Sequence, residues 1–352
     1  MSVSAELERA LHYPLADQLP SPGETIELAP GVRWVRMALP FALDHINLWL
    51  LRDKLDGREG WTVVDTCIDH AASRALWDQV FATQLDGLPV LRVIVTHMHP
   101  DHVGLAHWIC ARWSTPEHEC RLWMSATDYM NARYASQVVN SFGGERLADY
   151  FRSHGMTQAD DLDQIKNRKS YYRNLVPDVP PSYARLQDGQ RVGVGGRSWR
   201  CISGFGHAPE HMALYCEDLG VLISGDMVLP RISTNVSVYE MEPEADALSL
   251  FLDSLERYRP LPADTLVLPS HGKPFQGLHT RIQQLQDHHR DRLDEVMTAA
   301  RAQPVSAYDV LPVLFKRPLD LHQTTFALGE AVAPLHRRWH GGQLVRTRDE
   351  QG

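Results

Sequence analysis

The amino-acid sequence predicts an α/β sandwich that contains parallel strand pairs. The first observation is that short apolar runs typical of strands alternate with segments whose apolar residues repeat at helical spacing. The second is a strand–helix–strand crossover, in which residues 71–84 have helical spacing and lie between the strand-like residues 61–66 and 91–96. Because a crossover through a helix joins parallel strands, this alternation favours the α/β class.

Composition narrows the function classes. The chain has 352 residues, of which 43% are hydrophobic, and a net charge of −9. An acidic chain lacks the broad positive surface that nucleic acids attract, although a local basic patch is compatible with an acidic total. The five cysteines lack CxxC spacing, which indicates free thiols in a reducing compartment. They are Cys67, Cys110, Cys120, Cys201 and Cys216.

The location is predicted from what the sequence does not contain. Residues 1–15 include charged side chains and have no uninterrupted apolar segment of the secretory type. No stretch approaches the ~20 apolar residues of a membrane-spanning helix. We therefore expect a cytoplasmic protein without a membrane partner.

The predicted elements of the first half follow an irregular arm that ends near Pro30. Strands are expected at residues 32–38, 46–51, 61–66, 91–96 and 121–124. Helices are expected at residues 71–84 and 104–113. Residues 127–183 are rich in Tyr, Arg, Asn, Gln and Asp, and they read as a helical insertion of the kind that forms a lid or substrate wall. Its expected helices are residues 144–153 and 160–172. Its candidate substrate contacts are Arg168, Lys169, Tyr171, Tyr172 and Arg173. The alternative for each of them is an ordinary residue on a solvated surface.

Strands resume after the insertion and are followed by a helical C-terminal region. Strands are expected at residues 191–192, 199–203, 213–216, 221–224 and 265–268. Helices are expected at residues 243–258, 281–301, 308–315 and 323–339, and a Gly-Gly turn then leads to a short strand within 341–348. We predict a catalytic domain at residues 1–280 and a small winged-helix-like domain at residues 281–352.

The strongest chemical signal is the stretch from His97 to His102, which reads His-Met-His-Pro-Asp-His. It follows an apolar strand and precedes a helix, so three imidazoles and a carboxylate lie at the mouth of one strand. His97 and His99 point the same way in extended chain, whereas Asp101 and His102 follow where the backbone turns. This spacing suits two adjacent metal ions better than one, and it outweighs the alternative of a polar turn with surface histidines.

A His-x-His-x-Asp-His sequence after an apolar strand resembles the signature of the metallo-β-lactamase-fold hydrolase superfamily. The resemblance implies an αββα sandwich with the helical insertion and the winged-helix-like C-terminal domain as additions. It also implies that the remaining ligands follow later strands in chain order.

By this resemblance, His97 and His99 bind the first of two metal ions together with His207. That third histidine belongs to Gly-His-Ala-Pro-Glu-His at residues 206–211, which is similar to the family's Gly-His-[Ser/Thr]-Pro-x-His element. The last histidine of the element is usually structural, so His211 is not expected to bind metal.

The second metal ion is expected to be bound by Asp101, His102 and His271, the last of which lies in Pro-Ser-His-Gly after a strand. Asp226, in Ser-Gly-Asp after another strand, matches the family's Gly-Asp, whose carboxylate bridges both metals. Asp101 and Asp226 are therefore the expected catalytic carboxylates. Asp226 would set the metal spacing and orient the nucleophile.

Asp65-Thr66-Cys67 stands where the family has Asp-Thr-Gly. The resemblance implies that Asp65 orients a ligand or its loop, and an ordinary turn aspartate is the alternative. Nothing in the sequence lowers the pKa of Cys67, so it is expected to pack in the core. The other histidines are expected at the surface or in packing contacts; they include His107, His118, His154, His288 and His289.

Five imidazoles and two carboxylates suit two zinc ions, and iron or manganese accept the same ligands. A bridging hydroxide between two such ions attacks an acyl carbon or a phosphorus. A bridging aspartate resembles the hydroxyacylglutathione hydrolase, lactonase and phosphodiesterase branches. We therefore expect a hydrolase of a small-molecule thioester, lactone or other ester.

Three alternatives remain open. The first is a phosphodiesterase or nuclease. The acidic net charge disfavours it, but four arginines of the C-terminal region are candidate contacts for nucleic acid: Arg337, Arg338, Arg346 and Arg348. The second is an oxidoreductase with a single iron, similar to the persulfide dioxygenases. The third is a binding protein with little turnover. A homodimer is an alternative to a monomer by analogy with the fold.

Overall fold

A computed structural model describes residues 7–139 and 142–348. Its strands form two sheets, one with the order β1-β2-β3-β4-β5-β6-β7 and the other with the order β12-β11-β10-β9-β8. The first sheet contains β1 (Ile26–Ala29), β2 (Val32–Ala38), β3 (His45–Leu55), β4 (Arg58–Val64), β5 (Val90–Ile94), β6 (Arg121–Ser125) and β7 (Tyr183–Leu186). The second contains β8 (Arg191–Val194), β9 (Arg197–Gly204), β10 (His211–Cys216), β11 (Val221–Gly225) and β12 (Leu266–Pro269).

Helices cover the outer faces of both sheets. In the first half they are α1 (Ala71–Thr83), α2 (Pro100–Val103), α3 (Ala106–Trp113), α4 (Ala126–Gln137), α5 (Gly144–Ser153), α6 (Ala159–Asn167) and α7 (Tyr171–Leu175). In the second half they are α8 (Ala247–Glu256), α9 (Leu278–Ala302), α10 (Leu311–Leu314) and α11 (Leu321–His340). None of the described helices is both long and apolar enough to cross a membrane.

Three apolar clusters show the layering. The central cluster joins the inner faces of the two sheets and includes Trp34 and Trp49 from the first and Trp199 from the second. A second cluster packs α1, α3 and α4 on the first sheet. A third packs α8, α9 and α11 on the second sheet. The predicted αββα sandwich is therefore confirmed.

The predicted parallel pairs follow from strands that are buried on both faces. β5 has the sequence Val-Leu-Arg-Val-Ile, and all five residues are buried, as expected of a parallel strand with both faces covered. It pairs in parallel with β4 through the α1 crossover and with β6 on its other side. β11 and β12 form a parallel pair in the second sheet. These parallel strands end at the same edge, and the predicted site residues follow them.

Three local predictions differ from the structure. The expected irregular arm contains β1, whose residues Ile26 and Glu27 pair with the edge of β2. The expected insertion ends in β7, which pairs in parallel with β6. The single helix expected at residues 160–172 is interrupted between α6 and α7, because Ser170 has a φ of +57° that a right-handed helix does not accommodate.

The C-terminal region is helical, and the strand expected within residues 341–348 does not form. Val345 in that segment is 89% exposed and has no neighbouring strand to pair with. A winged-helix shape is therefore not observed in the described part of the region. The predicted boundary at residue 280 also falls inside the first turn of α9, and the C-terminal helices share one apolar cluster with the second sheet and the insertion.

A buried ion pair ties the two sheets together at the edge away from the site. Asp53 on β3 and Arg92 on β5 are 1% and 2% exposed. The Asp53 carboxylate accepts hydrogen bonds from Arg92 Nε at 3.0 Å and Nη2 at 2.8 Å, and from Thr62 Oγ1 at 2.6 Å. It also accepts one from the backbone of Gly195 at 2.9 Å, in the turn between β8 and β9. Removal of either charge would leave the other buried and unpaired.

We expect Asp53→Ala to lower the free energy of unfolding by about 3–5 kcal/mol, because the guanidinium of Arg92 would remain buried without its partner. Urea denaturation followed by circular dichroism measures this loss. The matched control is Glu59→Ala, which removes an exposed ion pair with Lys54 and should cost no more than about 1 kcal/mol. Equal losses in the two variants would contradict the structural role of the buried pair.

Candidate metal centre

The loop after β5 carries the first four candidate ligands. Pro100 occupies the first turn of α2, where a missing N–H costs nothing, and His99 precedes the helix in an extended conformation. The short helix then places Asp101 and His102 on the cleft side. Gly104 is required after it, since a Cβ there would lie 2.6 Å from the carbonyl oxygen of Cys67.

One group of ligand atoms is formed by three histidines. The distance from His97 Nε2 to His99 Nδ1 is 3.0 Å, and the distance from His97 Nε2 to His207 Nε2 is 3.2 Å. Asp226 Oδ2 lies 3.4 Å from His207 Nε2. Three ring nitrogens and one carboxylate oxygen therefore converge on one point.

A second group lies beside the first. Asp101 Oδ2 is 3.6 Å from His102 Nε2 and 3.4 Å from His271 Nε2. Asp226 Oδ1 is 3.6 Å and 3.5 Å from the same two nitrogens. The two oxygens of Asp226 thus face different groups of ligand atoms. All seven residues expected from the sequence are brought together.

The donor atoms fit divalent cations. His102 Nε2, His271 Nε2 and Asp226 Oδ1 are buried and have no hydrogen-bond partner among the described residues. The opposite ring nitrogen is held in each of three histidines: His102 Nδ1 by Asp65 at 2.8 Å, His271 Nδ1 by the carbonyl of His45 at 2.7 Å, and His207 Nδ1 by the carbonyl of Asn235 at 2.7 Å. An acceptor at Nδ1 keeps the proton there and leaves the Nε2 lone pair for a metal.

The electrostatics of the two groups differ. Burial lowers the pKa of His99 to about 3 and that of His97 well below its usual value, so both imidazoles are neutral. Burial also disfavours charge on His102, but the nearby carboxylates of Asp101 and Asp65 outweigh it and raise the pKa of His102 to about 9. The second group therefore concentrates negative charge, which favours a cation there.

Asp65 lies where the sequence places it, directly behind the ligands. Its carboxylate accepts hydrogen bonds from the backbone and hydroxyl of Thr96 at 2.8 and 2.9 Å, in addition to the one from His102 Nδ1. Cys67, two residues on, has a φ of +70°, the conformation that glycine usually adopts. Burial raises the pKa of its thiol to about 12, so Cys67 is a packing residue and not a nucleophile.

His211 supports the bridging aspartate without joining either group. Its Nε2 accepts a hydrogen bond from the backbone N–H of Asp226 at 3.2 Å. Gly225 is required beside it, because a Cβ there would lie 2.0 Å from His211 Nε2. The remaining histidines named above lie outside both groups of ligand atoms.

Sequence reasoning missed Asp128, a buried residue in the first turn of α4. Its carboxylate accepts hydrogen bonds from the backbone of Met98 at 2.7 Å and from the backbone of Glu210. It thereby joins the loop of His97 and His99 to the loop of His207. Burial raises its pKa to about 6. The only signal was the pattern Ser125-x-x-Asp128, which marks a helix start but not an inward carboxylate.

The segment after Asn235 connects the C-terminal helices to the site. The carbonyl of Asn235 accepts the hydrogen bond from His207, and the backbone N–H of Val238 donates one to the carbonyl of Gly329, which precedes Glu330 on α11, at 3.1 Å. Burial raises the pKa of Glu330 to about 7. No local sequence signal could have found this contact, because the two residues lie far apart along the chain.

Comparison with known proteins identifies the family. Residues 42–271 match the model of the metallo-β-lactamase superfamily, and residues 293–352 match the metallo-β-lactamase-like C-terminal domain. The first match contains all seven candidate ligands. The second lies within the helical C-terminal region.

Similar proteins share both parts. A β-lactamase domain protein from Burkholderia ambifaria is 54% identical, with a TM-score of 0.92 over 98% of this chain and 97% of that one. A metallo-β-lactamase family protein from Thermus thermophilus is 27% identical, with a TM-score of 0.73 over 91% and 97%. The probable metallo-hydrolase YqjP of Bacillus subtilis is 25% identical over 330 residues, which cover 88% of this chain and 95% of that protein. The chain belongs to the metallo-β-lactamase superfamily of metallo-hydrolases.

Proposed function

We propose that this chain is a dinuclear metal-dependent hydrolase that cleaves an acyl bond in a small thioester, lactone or other ester. The observation that supports the proposal best is that the two oxygens of Asp226 face two neighbouring groups of ligand atoms. Zinc is the first choice because nitrogen and carboxylate ligands without a thiolate suit it, and iron or manganese are alternatives.

The roles of the residues follow from the geometry. His97, His99 and His207 would hold one cation, and the carboxylate of Asp226 would lie between both. Two divalent cations bound there would supply a hydroxide near neutral pH. Hydrolysis joins the oxygen of water to the acyl carbon and breaks the bond to the leaving oxygen or sulfur, which departs with a proton.

The second group faces the cleft. The side chain of Asp101 is 18% exposed, more than the 10% of Asp226. Asp101 therefore borders the space where a substrate enters, while Asp226 is held deeper by His211. This arrangement supports the assignment of Asp101 and Asp226 as the catalytic carboxylates.

Two observations weigh against the alternatives. A single iron bound by two histidines and one aspartate would use three of the seven candidate ligands, whereas the described residues form three overlapping sets that together use all seven. For nucleic acid, Arg338 of the C-terminal region is already paired with Asp294 and Arg337 with Ser249, so these cations are engaged within the chain. Together with the net charge of −9, this favours acyl over phosphodiester hydrolysis.

The decisive experiment measures metal content by plasma emission on protein purified without chelator, with parallel assays on a thioester, a lactone and an aryl phosphodiester. We expect about two zinc ions per chain and turnover of the acyl substrates, because two ligand groups are complete. Turnover of the phosphodiester alone, or about one iron with oxygen uptake, would overturn the proposal.

Asp226→Ala is expected to abolish turnover and to lower the metal content, because both groups lose an oxygen ligand. Metal content and initial rate measure the effect. Lys273→Ala is the matched control, since Lys273 follows His271 but pairs with Asp17 at 3.0 Å. Retained activity at full metal stoichiometry in Asp226→Ala would refute the ligand assignment, and metal loss in Lys273→Ala would show it to be incomplete.

Asp65→Asn tests the residue behind His102. Asparagine tolerates the φ of +59° at this position, but its neutral amide is a weaker partner for the ring nitrogen. We expect metal affinity at the second group to fall about 10–100-fold, measured by competition with a chromophoric chelator. Unchanged affinity would assign Asp65 to the turn alone.

A further inference from the structure

The rim of the metal centre is built partly by α7 of the insertion. Tyr172 on this helix donates a hydrogen bond to the carbonyl of Met98, between His97 and His99. The carbonyl of Leu175 at its end accepts a hydrogen bond from the backbone of Asp69 at 2.9 Å. The neighbouring Tyr171 is half-buried, and burial together with the negative charge of Asp101 raises the pKa of its hydroxyl. Because α7 contacts α2, which carries Asp101 and His102, Tyr171 lies near the second ligand group.

Two rings lie against Tyr171, and one of them extends the contact to a third part of the chain. The ring centroid of Phe142 lies 6.5 Å away and that of His322, at the start of α11, lies 5.7 Å away. Phe142 also contacts Tyr239, at 6.2 Å, in the segment that leads from Asn235 to α8. The insertion, this segment and the C-terminal helix thus form one wall beside the metal centre.

Arg168 is the cation of this wall. Its guanidinium carbon lies 5.8 Å from the ring centroid of Tyr171. It is half-buried, and burial lowers its pKa. Within residues 7–139 and 142–348, no carboxylate lies at ion-pair distance from it. A partly desolvated guanidinium without a counter-charge is costly unless an anion binds it, and its planar fork matches carboxylate and phosphate oxygens.

His322 adds a second polar group to the same place. Its ring makes no side-chain hydrogen bond in the described structure, although it contacts Tyr171 and Phe326. Burial lowers the pKa of His322. Its ring contacts that of Tyr171, the same ring that the guanidinium of Arg168 approaches. Asp320 is the acidic neighbour of His322; its carboxylate caps α11 through the backbone N–H of Gln323 at 2.8 Å and makes no ion pair with Arg168 in the described structure.

We propose that Arg168, with Tyr171 and His322, forms a subsite that binds an anionic group of the substrate at a distance from the scissile bond. The inference rests on the proposed acyl hydrolysis and narrows its substrates to those that carry a carboxylate or a phosphate. The aromatic wall holds the apolar part of the molecule, and the guanidinium pairs with its charge.

Two substrate pairs test the proposal in kinetic terms. The first compares the p-nitrophenyl hemiester of glutaric acid with p-nitrophenyl butyrate, so that the charge lies on the acyl side. The second compares butyryl-coenzyme A with the butyryl thioester of N-acetylcysteamine, so that the charge lies on the leaving group. We expect the charged member of one pair to have the higher kcat/KM. The pair that shows the preference identifies the source of the charge.

Arg168→Gln should reduce that preference by about tenfold or more, through KM rather than kcat, because a charge-assisted pair is lost at a site away from the reacting bond. Arg168→Lys should restore part of it, since the charge remains but the fork does not. Arg173→Gln is the matched control, because Arg173 is exposed and lies two residues beyond Tyr171 on the other side of α7. Metal content and melting midpoint are measured in every variant.

A binding measurement separates the subsite from the reaction. N-butylglutaramate is an anionic amide, and N-butylbutanamide is its neutral counterpart. If the charge lies on the acyl side, calorimetry should show tighter binding of the anionic amide to the metal-loaded wild type. If it lies on the leaving group, coenzyme A should bind more tightly than N-acetylcysteamine. Neither difference should remain in Arg168→Gln. Tighter binding of the charged compound without hydrolysis of any ester or thioester would retain the subsite and reject the proposed function. Equal binding within both pairs of compounds, or a preference that survives in Arg168→Gln, would overturn the subsite.

Discussion

The metal centre depends on the carboxylate of Asp65, which is fully buried where β4 ends. It holds the backbone and hydroxyl of Thr96 and the ring of His102 with the same two oxygens. Thr96 precedes His97, and His102 ends the motif, so one side chain fixes both ends of the ligand loop. The left-handed backbone conformations of Asp65 and Cys67 have a conformational cost. This conformation is kept because it brings the carbonyl of Cys67 against Gly104, at the end of the ligand loop.

The insertion and the C-terminal helices contact the loops that carry the candidate ligands, as the sandwich does. Asp128, at the start of the insertion, clamps two ligand loops through their backbone N–H groups. Gly329 of the last helix accepts a hydrogen bond from Val238, three residues after the Asn235 carbonyl that holds His207. The insertion, the C-terminal helices and the second sheet share one apolar cluster. This supports the same conclusion, because a helix that packs on the second sheet can position a loop beside the ligands.

Most of the sandwich and the set of candidate ligands could be predicted because the information is local. Each ligand follows an apolar strand, and parallel strands bring such ends to one edge of a sheet. Asp128, Asn235 and Gly329 could not be predicted, since their partners are distant in sequence. The strand expected near Val345 failed for a related reason: apolar residues after a glycine turn form a strand only where an edge can pair with them. The helix break at Ser170 could not be predicted either, because the spacing of apolar residues does not reveal a positive φ.

The charge balance of the metal centre explains why the preference for an anionic substrate would depend on residues at the rim of the cleft. Three carboxylates contact the ligand histidines, those of Asp65, Asp101 and Asp226. Two divalent cations and one hydroxide would balance them, so the loaded centre has little net charge with which to attract an anion. The chain as a whole carries −9 and repels one. An anionic substrate would therefore need a fixed cation close by. The guanidinium of Arg168, which makes no ion pair within the described residues, would provide one at short range, where partial burial strengthens the attraction.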